Sequence, residues 1–268
     1  MSADAVEVAG PHAHGREERQ HMKIAIIGTG HIGKTLVRKL SAAGHDVAVA
    51  NSRGPETVEA DLLADGARAA SAPAAVGGAE VVILSVPLSR IPQLAPLIRE
   101  LPQETVVVDT SNYYPQRDGV IEGIEAGQAE SLWVSEQLGR RVVKAWNMIG
   151  SHALSDKGLP AGDPERLAVA VAGDERGRRV GMALVEDTGF DGFDAGSLEE
   201  SWRQQPGTPA YGTELTSAEL PDALATADAA RAPKRRDLSV AAIAERVGDG
   251  TTNPDSDYGT RLSRALFM

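Results

Sequence analysis

A glycine-spaced turn between an apolar run and an amphipathic stretch constrains this chain more than any other feature. Residues 23–27, KIAII, are short and apolar enough for a buried strand, and they lead directly into the turn GTGHIG at residues 28–33. Apolar residues then recur at helical spacing as far as residue 40, and residues 45–50 read as a second strand. The sequence therefore predicts a strand–turn–helix–strand unit of about 30 residues.

Each glycine of this turn has its own predicted role. Gly28 permits a tight turn, Gly30 lets the backbone approach a pyrophosphate, and Gly33 lets the helix pack close to the strand. The start of the helix supplies unpaired N–H groups and the positive end of a dipole, and both favour phosphate. Because the pattern lies between a strand and a helix, it predicts a dinucleotide site rather than a purely structural glycine-rich turn.

The residues after the second strand indicate which dinucleotide is bound. An NAD site usually has Asp or Glu there, which accepts hydrogen bonds from the ribose hydroxyls. Here Asn51, Ser52 and Arg53 follow the strand, and the first acid is Glu56. A guanidinium and a hydroxyl would bind a 2′-phosphate, which a carboxylate would repel. We therefore expect NADP(H) rather than NAD(H); the alternative is that Arg53 is a solvated loop residue.

Strand-like and helix-like segments continue to alternate to about residue 195, which is typical of a parallel sheet covered on both faces. The predicted fold class is α/β, a Rossmann-type doubly wound and mainly parallel sheet with a small C-terminal extension of helices and loops. The further predicted strands are residues 81–86, 105–109, 141–145, 167–172 and 190–195. The further predicted helices are residues 55–66, 91–101, 130–138, 175–188, 217–231 and 234–247, with a polar, turn-rich segment at 248–259.

Ligands of such sheets bind outside the carboxyl ends of the strands, where the strand order reverses. The residues just past the predicted strand ends are therefore the candidates for cofactor binding. They are Gly28, Thr29, Gly30, His31, Ile32, Gly33, Asn51, Ser52, Arg53, Ser85, Val86, Pro87, Asn112, Ala145 and Asn147.

Composition limits the classes of function. The chain of 268 residues has a net charge of −11, which argues against a nucleic-acid or anionic-membrane partner. It contains no cysteine, so disulfides and thiolate metal sites are excluded, and we expect no metal and a cytoplasmic location. We expect residues 1–21 to be a disordered leader, residues 22–196 to form the NADP-binding domain, and residues 197–268 to pack on that domain or on a partner subunit.

Five segments resemble one known family when they are taken in order. IGTGHIGKTL, ANSR, VVILSVP, VVKAWN and FDAGSLEESWR are similar to the NADP-binding domain of coenzyme F-420-dependent NADP oxidoreductases, and that domain type also occurs in the STEAP ferric reductases. The coenzyme is a deazaflavin. The resemblance covers roughly residues 22–205 and implies an NADP-dependent oxidoreductase with coenzyme F-420 or a flavin as a possible co-substrate.

The resemblance also implies roles for individual residues. Residues 29–32 would contact the pyrophosphate, and Ser52 and Arg53 the 2′-phosphate. Val86 and Pro87 would lie on the ribose–nicotinamide side, and Ala145 and Asn147 would flank the nicotinamide pocket. This chain continues for some 60 residues beyond the part that resembles compact members of the family, so the resemblance transfers the cofactor more firmly than the deazaflavin acceptor.

The sequence has no evident catalytic acid–base pair. Hydride transfer to a flavin-like ring mainly needs proximity, ring stacking and exclusion of water, so we expect an NADPH-dependent oxidoreductase acting on a deazaflavin, flavin or other small acceptor, as a homodimer. His152 is a weaker candidate proton donor, and Trp146 would either shield the nicotinamide or fill the core. Two alternatives stay open: a pyrroline-carboxylate-type imino-acid reductase, which would need a long all-helical region, and a non-enzymatic NADPH sensor.

The predicted 2′-phosphate contact can be tested by removing its cation. Arg53→Ala should raise the Michaelis constant for NADPH much more than the Michaelis constant for NADH, because only NADPH carries the 2′-phosphate. Steady-state kinetics with both cofactors measure this difference. A uniform effect on the two constants would argue against the role of Arg53.

Overall fold

A six-stranded parallel sheet in the order β3-β2-β1-β4-β5-β6 organises the protein, as a computed structural model that describes residues 21–248, 252 and 255–268 shows. The predicted α/β doubly wound fold class is confirmed. The predicted leader lies outside the described residues except for His21. The strands of this sheet are β1 (Lys23–Ile27), β2 (Asp46–Ala50), β3 (Arg68–Ala69), β4 (Val81–Leu84), β5 (Val106–Asp109) and β6 (Val143–Lys144).

The first strand lies at the point where the strand order reverses. Ile24 of β1 pairs with Val47 of β2 on one side and with Val81 of β4 on the other. From β2 the chain continues outward to β3, and it then crosses to the opposite side of β1 for β4, β5 and β6. The crevice between the β1 and β4 carboxyl ends is therefore the place where this architecture binds ligands.

Helices cover both faces of the sheet. They are α1 (His31–Ala42), α2 (Ala72–Val76), α3 (Ile91–Arg99), α4 (Pro115–Asp118), α5 (Glu122–Glu125), α6 (Glu130–Leu138), α7 (Ser151–Asp156), α8 (Glu175–Asp187), α9 (Leu220–Ala225), α10 (Ala232–Val247) and α11 (Ser256–Phe267). Four 3₁₀ helices, Pro55–Thr57, Ala60–Leu63, Leu88–Arg90 and Leu198–Gln204, occur among them.

Each face of the sheet has its own aliphatic core. On one face, Leu36 and Leu40 of α1 pack with Leu184 of α8. On the other face, Ile98 of α3 packs with Val134 of α6. Strand residues are buried on both sides, which is why the strand sequences are continuous apolar runs rather than alternating ones.

The last two predicted strands form a separate parallel pair. Strand β7 (Ala168–Val171) pairs with β8 (Asp191–Asp194), and α8 crosses between them. This pair joins the main sheet through an antiparallel bridge, in which the backbones of Lys144 and Ala172 exchange hydrogen bonds of 2.8 and 3.0 Å. Because β7 approaches β6 in the antiparallel direction, it does not extend the parallel ladder. These two strands also count against the all-helical region of an imino-acid reductase.

Two predicted helices are shorter than their patterns indicated. Residues 55–66 contain two 3₁₀ helices, Pro55–Thr57 and Ala60–Leu63, instead of one α-helix. Leu62 of the second turn is buried in the core with Leu36 and Leu40 of α1, so tertiary packing sets the conformation of this segment. In the predicted helix 217–231, only Leu220–Ala225 is helical.

The sequence predicted a turn-rich segment at 248–259 and did not predict the C-terminal helix. Helix α11 begins at Ser256, because the side chain of Asp255 accepts a 2.8 Å hydrogen bond from the Tyr258 backbone N–H and caps the helix. Arg264 of α11 donates to the carbonyl oxygen of Thr213 at 2.8 Å. This hydrogen bond attaches α11 to the loop that precedes α9.

The segment after β8 shares its packing with the sheet. Leu198 is fully buried in the α3–α6 core, whereas Leu215 and Leu220 form a third apolar cluster with Ala168 of β7. The domain boundary between residues 196 and 197 stays a prediction. Within the described residues, no helix is long and apolar enough to cross a membrane.

Two neighbouring arginines after α6 test how the connection between α3 and β5 is held. Arg140 donates to four backbone carbonyls, those of Leu101, Pro102, Gln103 and Thr105, whereas Arg141 makes an exposed ion pair with Glu199. Arg140→Ala should lower the free energy of unfolding by about 1–3 kcal/mol, and the control Arg141→Ala by no more than about 0.5 kcal/mol. Urea denaturation of both variants measures this, and equal losses would contradict it.

Candidate functional site

The turn after β1 is fixed by contacts that exclude side chains. Gly28 has φ +116°, and a Cβ added there would lie 2.0 Å from the carbonyl oxygen of Ser85, just past β4. A Cβ at Gly33 would lie 2.2 Å from the carbonyl oxygen of Gly28. Both positions therefore require glycine, and the α1 helix begins directly over the crevice between β1 and β4.

Gly30 is different, because it faces open space. A Cβ added to Gly30 would meet nothing within 4 Å, although its φ of −72° would accommodate one. Gly30 is the N-cap of α1; no side chain caps the helix, and its first turn contains no acid. The N–H groups of a helix start need an external acceptor, and here both space and charge suit a diphosphate. The arrangement therefore fits the pyrophosphate of a dinucleotide.

The turn after β2 presents a cation beside this space. The Asn51 side chain accepts a 2.8 Å hydrogen bond from the Arg53 backbone N–H and donates to Thr57 Oγ1 at 3.0 Å, which fixes the turn. Ser52 and Arg53 are exposed, and the Arg53 guanidinium has no ion pair within residues 21–248, 252 and 255–268. The exposed Glu56 carboxylate folds over Gly54, so one acid also lies close to this turn.

The opposite side of the crevice is built by two asparagines. Nδ2 of Asn112, after β5, donates to the Asn147 carbonyl at 2.8 Å, and Nδ2 of Asn147, after β6, returns a 3.1 Å bond to Asn112 Oδ1. Asn147 is buried and also exchanges bonds with Gln204, so contacts within the protein use both of its amide hydrogens. The structure thus brings these two predicted residues together and adds Gln204, which the sequence did not indicate.

The remaining predicted residues lie at the strand ends and at the start of α1, and they differ in burial. Ser85 and Val86 are partly buried and Pro87 is exposed, at the end of β4. Ala145 is completely buried and packs in the core on the α1 side of the sheet. Thr29 and Ile32 are partly buried, and His31 is exposed in the first turn of α1. Their predicted contacts with the cofactor stay predictions.

Two tyrosines extend the asparagine pair. The hydroxyl oxygens of Tyr114 and Tyr211 are 2.6 Å apart, and Asn112 Nδ2 donates to the Tyr211 hydroxyl at 3.3 Å. Burial is the main cause that raises the pKa of both hydroxyls, so both keep their protons at neutral pH. Tyr211 belongs to the C-terminal extension, and its contact with residue 114 spans 97 positions, so sequence spacing carried no signal for it.

A buried ion pair and a buried carboxyl group lie near these side chains. Lys144 Nζ is 2.7 Å from Asp109 Oδ2 and donates to the Ser111 carbonyl at 2.5 Å. Glu130 at the start of α6 is also buried, and burial raises its pKa to about 7 against the opposing effects of Lys144 and the Tyr113 backbone N–H. One carboxylate oxygen of Glu130, Oε2, has no hydrogen-bond partner within the described residues.

Two other sequence candidates differ in their burial. Trp146 is fully buried with φ +56°, and its Nε1 donates to Thr188 Oγ1 at 3.3 Å, so it fills the core rather than shielding a nicotinamide. His152 is exposed on α7. Among the described residues, no group of three or more His, Asp or Glu side chains could hold a metal ion.

Residues 23–113 match the family model described as NADP oxidoreductase, coenzyme F420-dependent. The predicted family resemblance is confirmed. The matched segment contains the glycine turn, the Asn51–Arg53 turn, Ser85–Pro87 and Asn112, so this part of the chain is similar to NAD(P)-binding Rossmann oxidoreductases.

Individual proteins are similar to this chain to different extents. YjhV of Escherichia coli (strain K12) is 54% identical over 63 residues, and this chain spans only 46% of that relative's length. The hypothetical protein SMa0349 of Sinorhizobium meliloti is 29% identical with a TM-score of 0.63, covering 73% of this chain and 96% of its own. A candidate F420-dependent NADP reductase from Arthrobacter sp. FB24 shares the fold at 19% identity and a TM-score of 0.56, covering 85% and 96%.

The buried Glu130 should make stability depend on pH. Its pKa is about 7 in the folded chain against an ordinary 4.5, so the folded state holds the proton more tightly. The free energy of unfolding should therefore fall as pH rises from about 4.5 to about 7, by at most about 3 kcal/mol, and Glu130→Gln should lack this fall.

Urea denaturation at about pH 5 and pH 8 measures the effect, and Glu136→Gln, exposed on the same helix, is the control. The control should keep the pH dependence of the wild type. If Glu130→Gln keeps it too, the assignment to Glu130 is wrong.

Proposed function

We propose that this protein binds NADP(H) and transfers a hydride between the nicotinamide and a small acceptor, which is a deazaflavin, a flavin or another small molecule. The open, uncapped start of α1 at Gly30 carries the proposal, because its N–H groups face space without a side chain to satisfy them. The family match to residues 23–113 supports an oxidoreductase.

The choice of NADP(H) rests on the turn after β2. Asn51 holds the backbone of this turn, which leaves the Ser52 hydroxyl and the Arg53 guanidinium exposed toward solvent. A guanidinium can bind a phosphate with two parallel hydrogen bonds, so it would favour the 2′-phosphorylated nucleotide. Glu56 is exposed, and its side chain must point away from the phosphate when the cofactor is bound.

The protein's own residues would hold and orient the cofactor, which supplies the hydride chemistry. The start of α1 would bind the diphosphate, and the Ser85–Pro87 segment would lie along the ribose and nicotinamide. Asn112, fixed by Asn147 and Gln204, would form the wall on the acceptor side. This wall is rigid because its amide groups already bond to one another, so it need not reorganise when a ligand binds.

A homodimer in the cytoplasm remains our expectation for the assembled protein, since closed two-fold symmetry is the commonest arrangement of soluble oligomers. Its oligomeric state can be measured by light scattering on the purified full-length chain. The non-enzymatic sensor stays the alternative to the enzyme, and turnover separates the two.

One substitution tests the proposed diphosphate site without disturbing the fold. Gly30→Ala meets no protein atom and has an ordinary φ, so the variant should unfold at the wild-type temperature. It should nevertheless bind NADPH at least about tenfold more weakly, because its methyl group would occupy the space of the diphosphate. Calorimetry with NADPH measures the affinity.

Gly150→Ala is the matched control, because Gly150 is also a helix N-cap with negative φ and nothing within 4 Å of an added Cβ. It should bind NADPH like the wild type. Equal affinities of the two variants would remove the support for the site. Loss of absorbance near 340 nm with deazaflavin, flavin or another acceptor then tests the reaction, and tight binding without any turnover would favour the sensor.

A further inference from the structure

We propose that the hydroxyl pair of Tyr114 and Tyr211 donates a proton to the acceptor, and that the acceptor is a small carbonyl or imine compound. This inference rests on the proposed function, because the acceptor receives its hydride from the bound NADPH. It names a class of acceptor that the family match does not specify.

The hydrogen bonds around the two hydroxyls leave one of their protons without an acceptor among the described residues. The two hydroxyl oxygens are 2.6 Å apart, so one hydroxyl donates to the other. Asn112 Nδ2 points its hydrogen at the Tyr211 oxygen from 3.3 Å, so it cannot accept a proton. In either arrangement one O–H proton of the pair has no acceptor among the residues that the structure describes. Both tyrosines are only partly buried, so solvent can reach the pair, and a ligand oxygen or nitrogen that displaces this solvent would supply that acceptor.

Tyr211 is the better candidate for the final donor. When Tyr114 donates to Tyr211, the Tyr211 oxygen accepts from both Tyr114 and Asn112, and its own proton is the one left over. Asn112 lies just past β5, on the acceptor side of the crevice. Tyr114 then positions Tyr211 and can return a proton to it.

The surroundings keep the pair protonated. Burial raises the pKa of both hydroxyls. The contact between the two hydroxyls raises the pKa of Tyr114 further and partly offsets the effect of burial on Tyr211; the nearby Glu130 carboxylate raises both pKa values and Arg117 lowers both. A group that stays protonated at neutral pH and sits in a poorly solvated place is suited to general acid catalysis rather than to general base catalysis.

The proposed step balances in atoms and charge. The carbon of the C=O or C=N group gains a hydride from NADPH, and the electron pair of that double bond moves to the oxygen or nitrogen. This atom takes the Tyr211 proton, which forms the O–H or N–H bond of the alcohol or amine. Tyr211 then regains a proton from Tyr114 across the 2.6 Å contact, and Tyr114, which is partly exposed, regains one from water.

Several hydrogen bonds fix the loop that carries Tyr211, and a proton donor needs such a fixed position. The Gly212 backbone N–H donates to the Met148 carbonyl at 2.8 Å, and the Thr213 hydroxyl donates to the Pro209 carbonyl at 2.7 Å. Arg264 of α11 donates to the carbonyl oxygens of Thr213 and Glu214. A group fixed by such contacts keeps its position for proton transfer.

The experiment compares Tyr211→Phe and Tyr114→Phe with Tyr258→Phe, whose hydroxyl bonds to Ala242 on the α10–α11 pair far along the chain. NADPH affinity, measured by calorimetry, should stay within about twofold of the wild type in all three variants. Affinity of the protein–NADP⁺ complex for isobutyramide, an unreactive carbonyl compound, should fall about five- to tenfold in Tyr211→Phe, because one hydrogen bond is lost.

Turnover is then measured with a panel of small aldehydes, ketones and cyclic imines, and separately with coenzyme F-420 and FMN. For the reduced carbonyl or imine, kcat/KM should fall at least about 100-fold in Tyr211→Phe, less in Tyr114→Phe, and not at all in Tyr258→Phe. Unchanged kcat/KM in Tyr211→Phe would overturn the inference, as would turnover of the deazaflavin or flavin alone.

Different results would refute the proposed function and the role of the tyrosine pair. Absence of NADPH binding by the wild-type chain would refute the proposed function. NADPH binding together with no reduction of any carbonyl or imine, and no binding of isobutyramide, would refute only the role of the tyrosine pair.

Discussion

The close approach of Gly28 to the end of β4 is the constraint on which the rest of this structure depends. A side chain at Gly28 would collide with the Ser85 backbone, and one at Gly33 would collide with Gly28 itself. These two backbone contacts bring β1, β4 and the start of α1 together at the reversal of strand order. The uncapped N–H groups of α1 therefore face the crevice because of packing in the sheet, and the same packing would position a phosphate.

A second constraint acts at the other side of the crevice, where charge is buried. Lys144 and Asp109 are both fully buried and 2.7 Å apart, and they tie β6 to β5 where their short ladder has only two paired positions. Such a pair adds little net stability, but loss of one partner leaves an uncompensated charge that costs about 3–5 kcal/mol. The pair therefore links β5 to the end of β6, three residues before Asn147.

The parts of the fold that were predictable are those whose signals are local. The apolar runs predicted β1, β2, β4 and β5, and the glycine pattern predicted the turn between β1 and α1 because its geometry is encoded within six consecutive residues. Helix α6 matches its predicted bounds, 130–138. The pattern in residues 55–66 predicted one helix, but tertiary packing of Leu62 in the core beside α1 overrides the local propensity and the segment forms 3₁₀ turns.

The acceptor side was not predictable, because its contacts join distant residues. Asn112 meets Tyr211 across 99 positions, and Asn147 meets Gln204 across 57. Nothing in the local pattern around Glu130 distinguishes it from an ordinary acid in the first turn of a helix, where acids are common. The charged groups that act on it, Lys144, Asp109 and Arg236, come from other elements of the fold, which no spacing rule anticipates.

Because the two sides of the crevice depend on different contacts, substitutions can affect one side without the other. The proposed cofactor half lies on the strand ends and the start of α1, where a substitution at Gly28 or Gly33 would disturb the sheet itself. The proposed acceptor half is completed by a loop from the C-terminal extension, held by α11 through Arg264. Substitutions in that loop alter the acceptor wall while the six-stranded sheet keeps its packing, so a change of acceptor need not cost the binding of the nucleotide.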